Sequence, residues 1–282
     1  MSSRVVYISD FFLDDILGGA ELNDYELCNL ISDSGYSLQK IRSHEVTIPV
    51  LDSIHGSRLI ISNFINLRQE VKDKIIKDFK YILYEHDHKY LKSRNPARYK
   101  DFVAPAENII NFEFYKNAAA IFCQSLFHNN IVQNNLGLKN IINLSGNLWS
   151  LESLDLLTKL NKKNKIDQYS VLKSNIPHKN TKKTIFFCQQ KGFKYELISS
   201  PSYKEFLSML ANNKKFIFLP ETPETLSRVV VEARMLGAEL LVNKNVGAHY
   251  ESWIKLRGDD LIAFMKDKRA EISNLVLEEL ND

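Results

Sequence analysis

Phe216-Ile217-Phe218-Leu219-Pro220-Glu221-Thr222-Pro223-Glu224-Thr225-Leu226-Ser227-Arg228-Val229-Val230-Val231-Glu232-Ala233-Arg234-Met235-Leu236-Gly237-Ala238-Glu239-Leu240-Leu241-Val242 reads as strand, loop, helix, tight turn, strand. The run from Phe216 to Leu219 suits a strand buried on both faces, and Glu239 to Val242 predicts a second. Between them Leu226, Val229, Val230, Ala233 and Leu236 fall on one face of a helix predicted from about Thr225 to Leu236. Pro223 and a capping Thr225 mark where it begins, and Gly237 is placed to end it. Strand, helix, strand is the unit of a parallel α/β sheet with right-handed crossovers. The free N–H groups of the helix's first turn then face the carboxyl edge of the sheet, where they and the helix dipole favour an anion such as a diphosphate.

The same alternation runs through the first half of the chain. Apolar runs at Val5 to Ile8, Leu59 to Ile61, Tyr81 to Tyr84, Ala118 to Phe122 and Ile141 to Leu144 are separated by stretches with helical spacing. Near Trp149 the pattern changes, and residues 156–194 hold ten lysines against a single acid, Asp167. A further strand is predicted at Thr184 to Cys188, and the last segment carries Leu261, Met265, Ile272 and Val276 at helical spacing. The expected organisation is a first α/β domain over residues 1–150, a basic linker over 151–183, a small second α/β domain over 184–258 and an amphipathic helix over 259–282.

The 282 residues, 44% hydrophobic and 25% charged, have the composition of a globular protein and exclude a collagenous, coiled-coil or disordered chain. No apolar run approaches the ~18 residues of a membrane span, and three scattered cysteines suit buried thiols, so the expected location is the cytoplasm. A net charge of +3 is too small to define a nucleic-acid binder. Neither the G-x-G-x-x-G fingerprint nor a P-loop lysine motif occurs, which disfavours a nicotinamide-dependent oxidoreductase and a P-loop nucleotidase.

Glu224 and Glu232 stand eight residues apart, about 12 Å on a continuous helix. They cannot share one atom, but they can bracket an elongated ligand such as a nucleotide-sugar, with the phosphates at the helix N-terminus between them. Surface glutamates are common enough that spacing alone favours the plainer reading. The stretch resembles the E-x(7)-E segment of the retaining GT-B glycosyltransferases, glycosyltransferase family 4 and its relatives: Glu224, seven residues, Glu232-Ala233, then Gly237 before the next strand. Gly18-Gly19-Ala20-Glu21, after the first strand, is similar to the Gly-Gly-Ala-Glu loop of the same family, so each half of the chain carries one motif.

The resemblance implies a GT-B fold, two Rossmann-like domains facing a cleft with the second one small, and transfer of a sugar from a nucleotide-sugar to an acceptor hydroxyl with retention. It implies that Glu224 holds donor-sugar hydroxyls, that Glu232 holds the ribose, and that the backbone around Leu226, Ser227 and Arg228 meets the sugar and diphosphate. Gly18 and Gly19 would approach the donor, although a glycine pair is as often a plain turn. Lys191 best matches the family's basic residue at the leaving diphosphate, although the usual preceding arginine is replaced by Gln189 and Gln190, and Arg228 is the candidate to compensate. No cofactor or metal is required in the family, and a UDP-sugar is the expected donor.

Glu85-His86-Asp87-His88 follows a strand and resembles the His-Asp of these transferases, which makes His86 a candidate catalytic or acceptor contact. A structural role competes closely. A metal site is the weaker alternative, because on an extended segment only His86 and His88 share a face. Cys123-Gln124-Ser125 lacks the context of a hydrolase nucleophile and reads as structural. Two other functions stay open. The short second domain and imperfect basic clamp suit a non-catalytic nucleotide- or glycan-binding relative, and the lysine-rich segment suits either a solvated linker or an enzyme that glycosylates modified DNA. The acceptor is therefore a glycan, a small molecule or modified DNA.

Overall fold

The computed structural model describes residues 4–281, which divide into two units, 4–148 with 269–281, and Trp149–Lys268. In the first unit β1 (Arg4–Ser9), α1 (Gly19–Asp33), β2 (Ser37–Arg42), α2 (Ile48–Ser53), β3 (Arg58–Ile61), α3 (Gln69–Asp78), β4 (Tyr81–Tyr84), α4 (Phe112–Lys116), β5 (Ile121–Cys123), α5 (Leu126–Leu136) and β6 (Ile141–Asn143) follow in order. The strands form one parallel sheet in the order β2-β1-β3-β4-β5-β6. Burial explains the apolar runs: Val5 to Ile8, Leu59 to Ile61 and Tyr81 to Tyr84 are at most 1% exposed, since helices cover both faces of a parallel sheet.

The second unit contains α6 (Leu151–Asn161), β7 (Ile166–Leu172), α7 (Thr181–Gln190), β8 (Tyr195–Ile198), α8 (Tyr203–Leu210), β9 (Asn213–Phe218), α9 (Arg228–Met235) and β10 (Glu239–Val242). Its parallel sheet has four strands in the order β10-β9-β7-β8, so it is the smaller of the two. The last helix, α10 (Asp259–Asn281), contributes Leu261, Ile262 and Met265 to the core of the second unit and Ile272, Val276 and Leu280 to that of the first. No described helix is long and apolar enough to cross a membrane. Cys28, Cys123 and Cys188 are buried free thiols.

Four local expectations are corrected. Thr184 to Cys188 is not a strand but part of α7: Thr184 and Cys188, four apart, are buried while Phe186 is 60% exposed, a helical rather than an alternating pattern. Residues 151–183 are not a linker, because they hold α6 and the central strand β7. The expected strand at Ala118 to Phe122 is displaced to Ile121–Cys123. The helix expected from Thr225 begins at Arg228, because Glu224 is held extended, its N–H donating to the Asn245 carbonyl (2.7 Å) and its own carbonyl accepting from the Gly247 N–H (2.9 Å).

Candidate functional site

In the second unit the chain leaves β7 for β8 on one side, then crosses back to β9 and β10 on the other. The loops that follow β7 and β9 therefore diverge, and the crevice outside their carboxyl ends is where open α/β sheets take ligands. Three asparagine side chains, one after β7 and two after β10, tie their loops to the one after β9. Asn180 Nδ2 donates to the Leu219 carbonyl (2.7 Å), and Asn243 and Asn245 donate to the Pro220 carbonyl (2.8 and 3.0 Å). On that frame Lys179 Nζ meets both carboxylate oxygens of Glu224, at 2.8 and 2.9 Å. The two side chains keep 25% and 14% of their surface accessible, so the pair faces the crevice rather than the core.

Ser227 precedes α9 in the left-handed region (φ 75°) and makes no side-chain cap. Its Oγ is buried with no hydrogen-bond partner, beside the free N–H groups of the first helical turn. One turn further on, Glu232 is 2% exposed. Its Oε1 accepts from Arg228 Nε (2.9 Å), Tyr203 OH (2.6 Å) and Trp149 Nε1 (3.0 Å). The Arg228 guanidinium lies 4.4 Å from the Trp149 ring centroid and 5.8 Å from that of Tyr203. Burial, and then the charge of Glu232, push the Tyr203 phenol above its usual range. Leu226 is fully buried and its carbonyl accepts from the Ala248 N–H at 2.9 Å.

Of the residues expected here, Glu224, Leu226, Ser227, Arg228 and Glu232 fall on one segment at this crevice. Lys191 does not join them. It is exposed at the C-terminal end of α7, its Nζ 6.0 Å from the Phe187 ring centroid. Helices run antiparallel to the strands they connect in such a unit, which puts that end at the amino edge of the sheet. Lys179 is the cation at the crevice. With β7 unrecognised and Thr184 to Cys188 read as the strand, no sequence signal singled out Lys179, which lies in the loop between β7 and α7.

In the first unit the order reverses between β1 and β3, and Gly18 and Gly19 open α1 after β1 at that reversal. Gly18 is extended (φ −138°). The Glu21 carboxylate folds back over it, where a Cβ on Gly18 would collide with Oε2, and burial pushes the Glu21 pKa up. His86 Nε2 lies 2.5 Å from Asp24 Oδ1, its Nδ1 contacts Gln124 Nε2, and Asp24 Oδ2 accepts from Ser62 Oγ at 2.6 Å. With the Gln124 amide donating to Nδ1, the His86 Nε2–H donates to Asp24. Gln124 was read as structural in sequence, yet it orients His86, whereas Ser125 caps α5 by accepting from the His128 N–H (3.1 Å).

His86 and His88 do not converge. His88 is buried, with Nδ1 3.1 Å from Tyr90 OH and its ring edge-to-face with His128 at 5.2 Å between centroids. Glu85 and Asp87 instead hold the buried Lys89, at 2.7 and 3.0 Å. Among the described residues no group of three or more His, Cys, Asp or Glu side chains is placed to hold a metal ion. Burial pushes His88 down to about 4, from an ordinary 6.5, and holds His128 well below its usual value. The unfolded chain therefore binds protons at both below the ordinary histidine value while the folded chain stays neutral. Stability is full above that value and falls as pH drops from about 6.5 towards 4, by about 1.4 kcal/mol per pH unit for each histidine. Urea midpoints of the first unit, taken between neutral and mildly acidic pH, are expected to decline over this window, and a flat profile contradicts the assignment.

No protein-family model matches the chain, and no curated protein matches it in sequence. Solved structures do. The catalytic domain of starch synthase IV from Arabidopsis thaliana, bound to ADP and acarbose, is similar with a TM-score of 0.62 at 8% identity, covering 100% of this chain and 99% of that one. Anabaena HepE with UDP and glucose has a TM-score of 0.57 at 12% identity, covering 99% and 100%. An alpha-glucosyltransferase in complex with UDP and a 13-mer DNA containing an HMU base has a TM-score of 0.53 at 11% identity, covering 97% and 91%. These likenesses show the fold: an α/β chain with two parallel sheets, the second smaller, as in the GT-B glycosyltransferases.

Proposed function

We propose that this chain is a glycosyltransferase that takes a nucleotide-sugar, with UDP as the expected carrier, at the crevice of its second unit and transfers the sugar to an acceptor hydroxyl with retention. The observation that carries the reading is the buried, unpartnered Ser227 Oγ at the start of α9, flanked by the Glu224–Lys179 pair. A helix N-terminus with a hydroxyl waiting for a partner and an ammonium beside it is suited to a diphosphate. In transfer the bond from the anomeric carbon to the diphosphate oxygen breaks, its electron pair staying on the phosphate. The acceptor oxygen bonds to that carbon and passes its proton to the departing phosphate oxygen. Lys179 Nζ and the α9 N–H groups stabilise the charge that grows on the leaving phosphate, and Glu224, released from Lys179, accepts from sugar hydroxyls.

Glu232 holds the nucleotide side of this site through Arg228, which it positions between Trp149 and Tyr203. The acceptor, whether glycan, small molecule or modified DNA, is assigned to the first unit near His86 and Gly18-Gly19. One observation favours a second reading, a nucleotide-binding relative without turnover: Glu232 Oε1 is already saturated from within the protein. Thermal shifts with UDP, GDP, ADP and their sugar conjugates, with and without Mg²⁺, test the proposal. A shift specific to one nucleotide, with the sugar released or transferred on incubation, is the expected result. Binding without release favours the idle relative, and no shift at about 100 times the usual micromolar-to-millimolar affinity range contradicts both.

A further inference from the structure

The amino edge of the second sheet, opposite to Glu224, carries an open groove of ≈ 760 Å³. Lys163, Lys165, Lys214 and Arg257 line it, against the two acids Glu239 and Asp259. Lys165 Nζ donates to the Asn161 carbonyl at the end of α6 (2.6 Å), and the Asn161 amide donates to Asp259 Oδ1 (3.2 Å). Lys163, Lys214 and Arg257 have no salt-bridge partner among the described residues. Burial and then the charge of Arg257 lower the Lys165 pKa, a sign of like charges held close.

The walls are built rather than incidental. Arg234 spends its guanidinium on the carbonyls of Ile254 (3.1 Å), Leu256 (2.9 Å) and Lys255 (3.1 Å), which fixes the backbone that presents Arg257. Gly237 (φ 74°) and Gly258 (φ 59°) both take left-handed conformations against Asn161, whose amide lies 3.0 Å from where a Cβ would stand on either. Arg257 is thus presented by a fixed backbone beside the Asn161 amide and the two glycines.

We propose that this groove binds the phosphodiester backbone of double-stranded nucleic acid. Cations without salt-bridge partners along a groove that also presents the Asn161 amide suit a run of phosphates, and backbone contacts of this kind position a duplex without reading its sequence. The groove is too large for one phosphate. No apolar side chain lines it, so it lacks what anchors a basic surface in a lipid bilayer. The lysine-rich segment divides accordingly: Lys179 and Lys183 pair with Glu224 and Glu221, while Lys163 and Lys165 face the groove. The proposal does not depend on the transferase reading, since the groove lies at the other edge of the sheet.

The test is fluorescence anisotropy of a labelled duplex of about 20 base pairs with the full chain, titrated from about 50 to 200 mM salt. Neutralising four phosphates gives a log–log salt slope of about −3 to −4, and the combined Lys163→Gln, Lys214→Gln, Arg257→Gln variant is expected to lose about 2 to 3 of that slope and at least about tenfold in affinity. Each single substitution is expected to remove about 1, which keeps the test open if the combined variant fails to fold. Vesicles of phosphatidylserine and phosphatidylcholine, and tripolyphosphate, serve as rival probes. No duplex binding at the lowest salt, equal slopes in wild type and variants, or binding of vesicles or tripolyphosphate without the duplex overturns the proposal. Loss of a nucleotide thermal shift with the duplex still bound counts against the transferase reading alone.

Discussion

Glu232→Ala is expected to destabilise the second unit by about 3–5 kcal/mol, the usual cost of stranding a buried ion. Arg228 is 9% exposed and has Glu232 as its counter-ion at 2.9 Å, while Tyr203 OH and Trp149 Nε1 both donate to the same carboxylate oxygen. Alanine removes the counter-ion of Arg228 and the carboxylate oxygen that Tyr203 OH and Trp149 Nε1 share as acceptor. Glu232→Gln keeps an acceptor oxygen but removes the charge, so it is expected to cost less and to remain folded. Both are expected to weaken nucleotide binding, because α9 starts at Arg228 and its first turn is positioned by this network. Denaturant midpoints together with nucleotide titrations check this, and an alanine variant as stable as the wild type contradicts it.

Lys179→Ala and Glu224→Ala are expected to behave in the opposite way, with little loss of stability and a large loss of turnover. The pair is partly exposed, so its contribution to folding is of the order of 1 kcal/mol or less. If Lys179 stabilises the leaving diphosphate, its removal takes away an interaction that strengthens in the transition state, worth about 10²–10³ in kcat. Glu224→Ala is expected to reduce kcat by a similar factor while UDP alone still binds, since that carboxylate is assigned to the sugar. Steady-state kinetics on the two variants with UDP-sugar, compared with titration of UDP, separate the roles. Unchanged kcat in both removes the site assignment.

Much of the fold was legible because parallel strands buried on both faces leave continuous apolar runs, as at Val5 to Ile8 and Phe216 to Phe218. Three strands were not. β2 lies at the sheet edge and buries only Ile41, and β8 is the other kind of edge, burying only Ile198. β7 is central but polar. Its Ser170 is fully buried because Asn213 Nδ2 donates to its Oγ (2.8 Å) and also to Glu196 Oε2 (2.9 Å), a cross-strand network no hydrophobic pattern reveals.

The site divides along similar lines. Glu224 and Glu232 share one segment whose spacing is visible in sequence, whereas the start of α9 at Arg228 depends on the extended hold on Glu224, which is not. Lys179, Tyr203 and Trp149 come from three other elements, and only the sheet order brings them to that segment. Asp24 and Gln124, 62 and 38 residues from His86, are hidden for the same reason.

The most direct measurement is a crystal structure of the chain grown with UDP. Diphosphate oxygens are expected within about 3 Å of Ser227 Oγ and the first N–H groups of α9, with Lys179 Nζ turned from Glu224 to the phosphate. UDP seated elsewhere, or Ser227 Oγ still without a partner beside an intact Lys179–Glu224 pair, contradicts it.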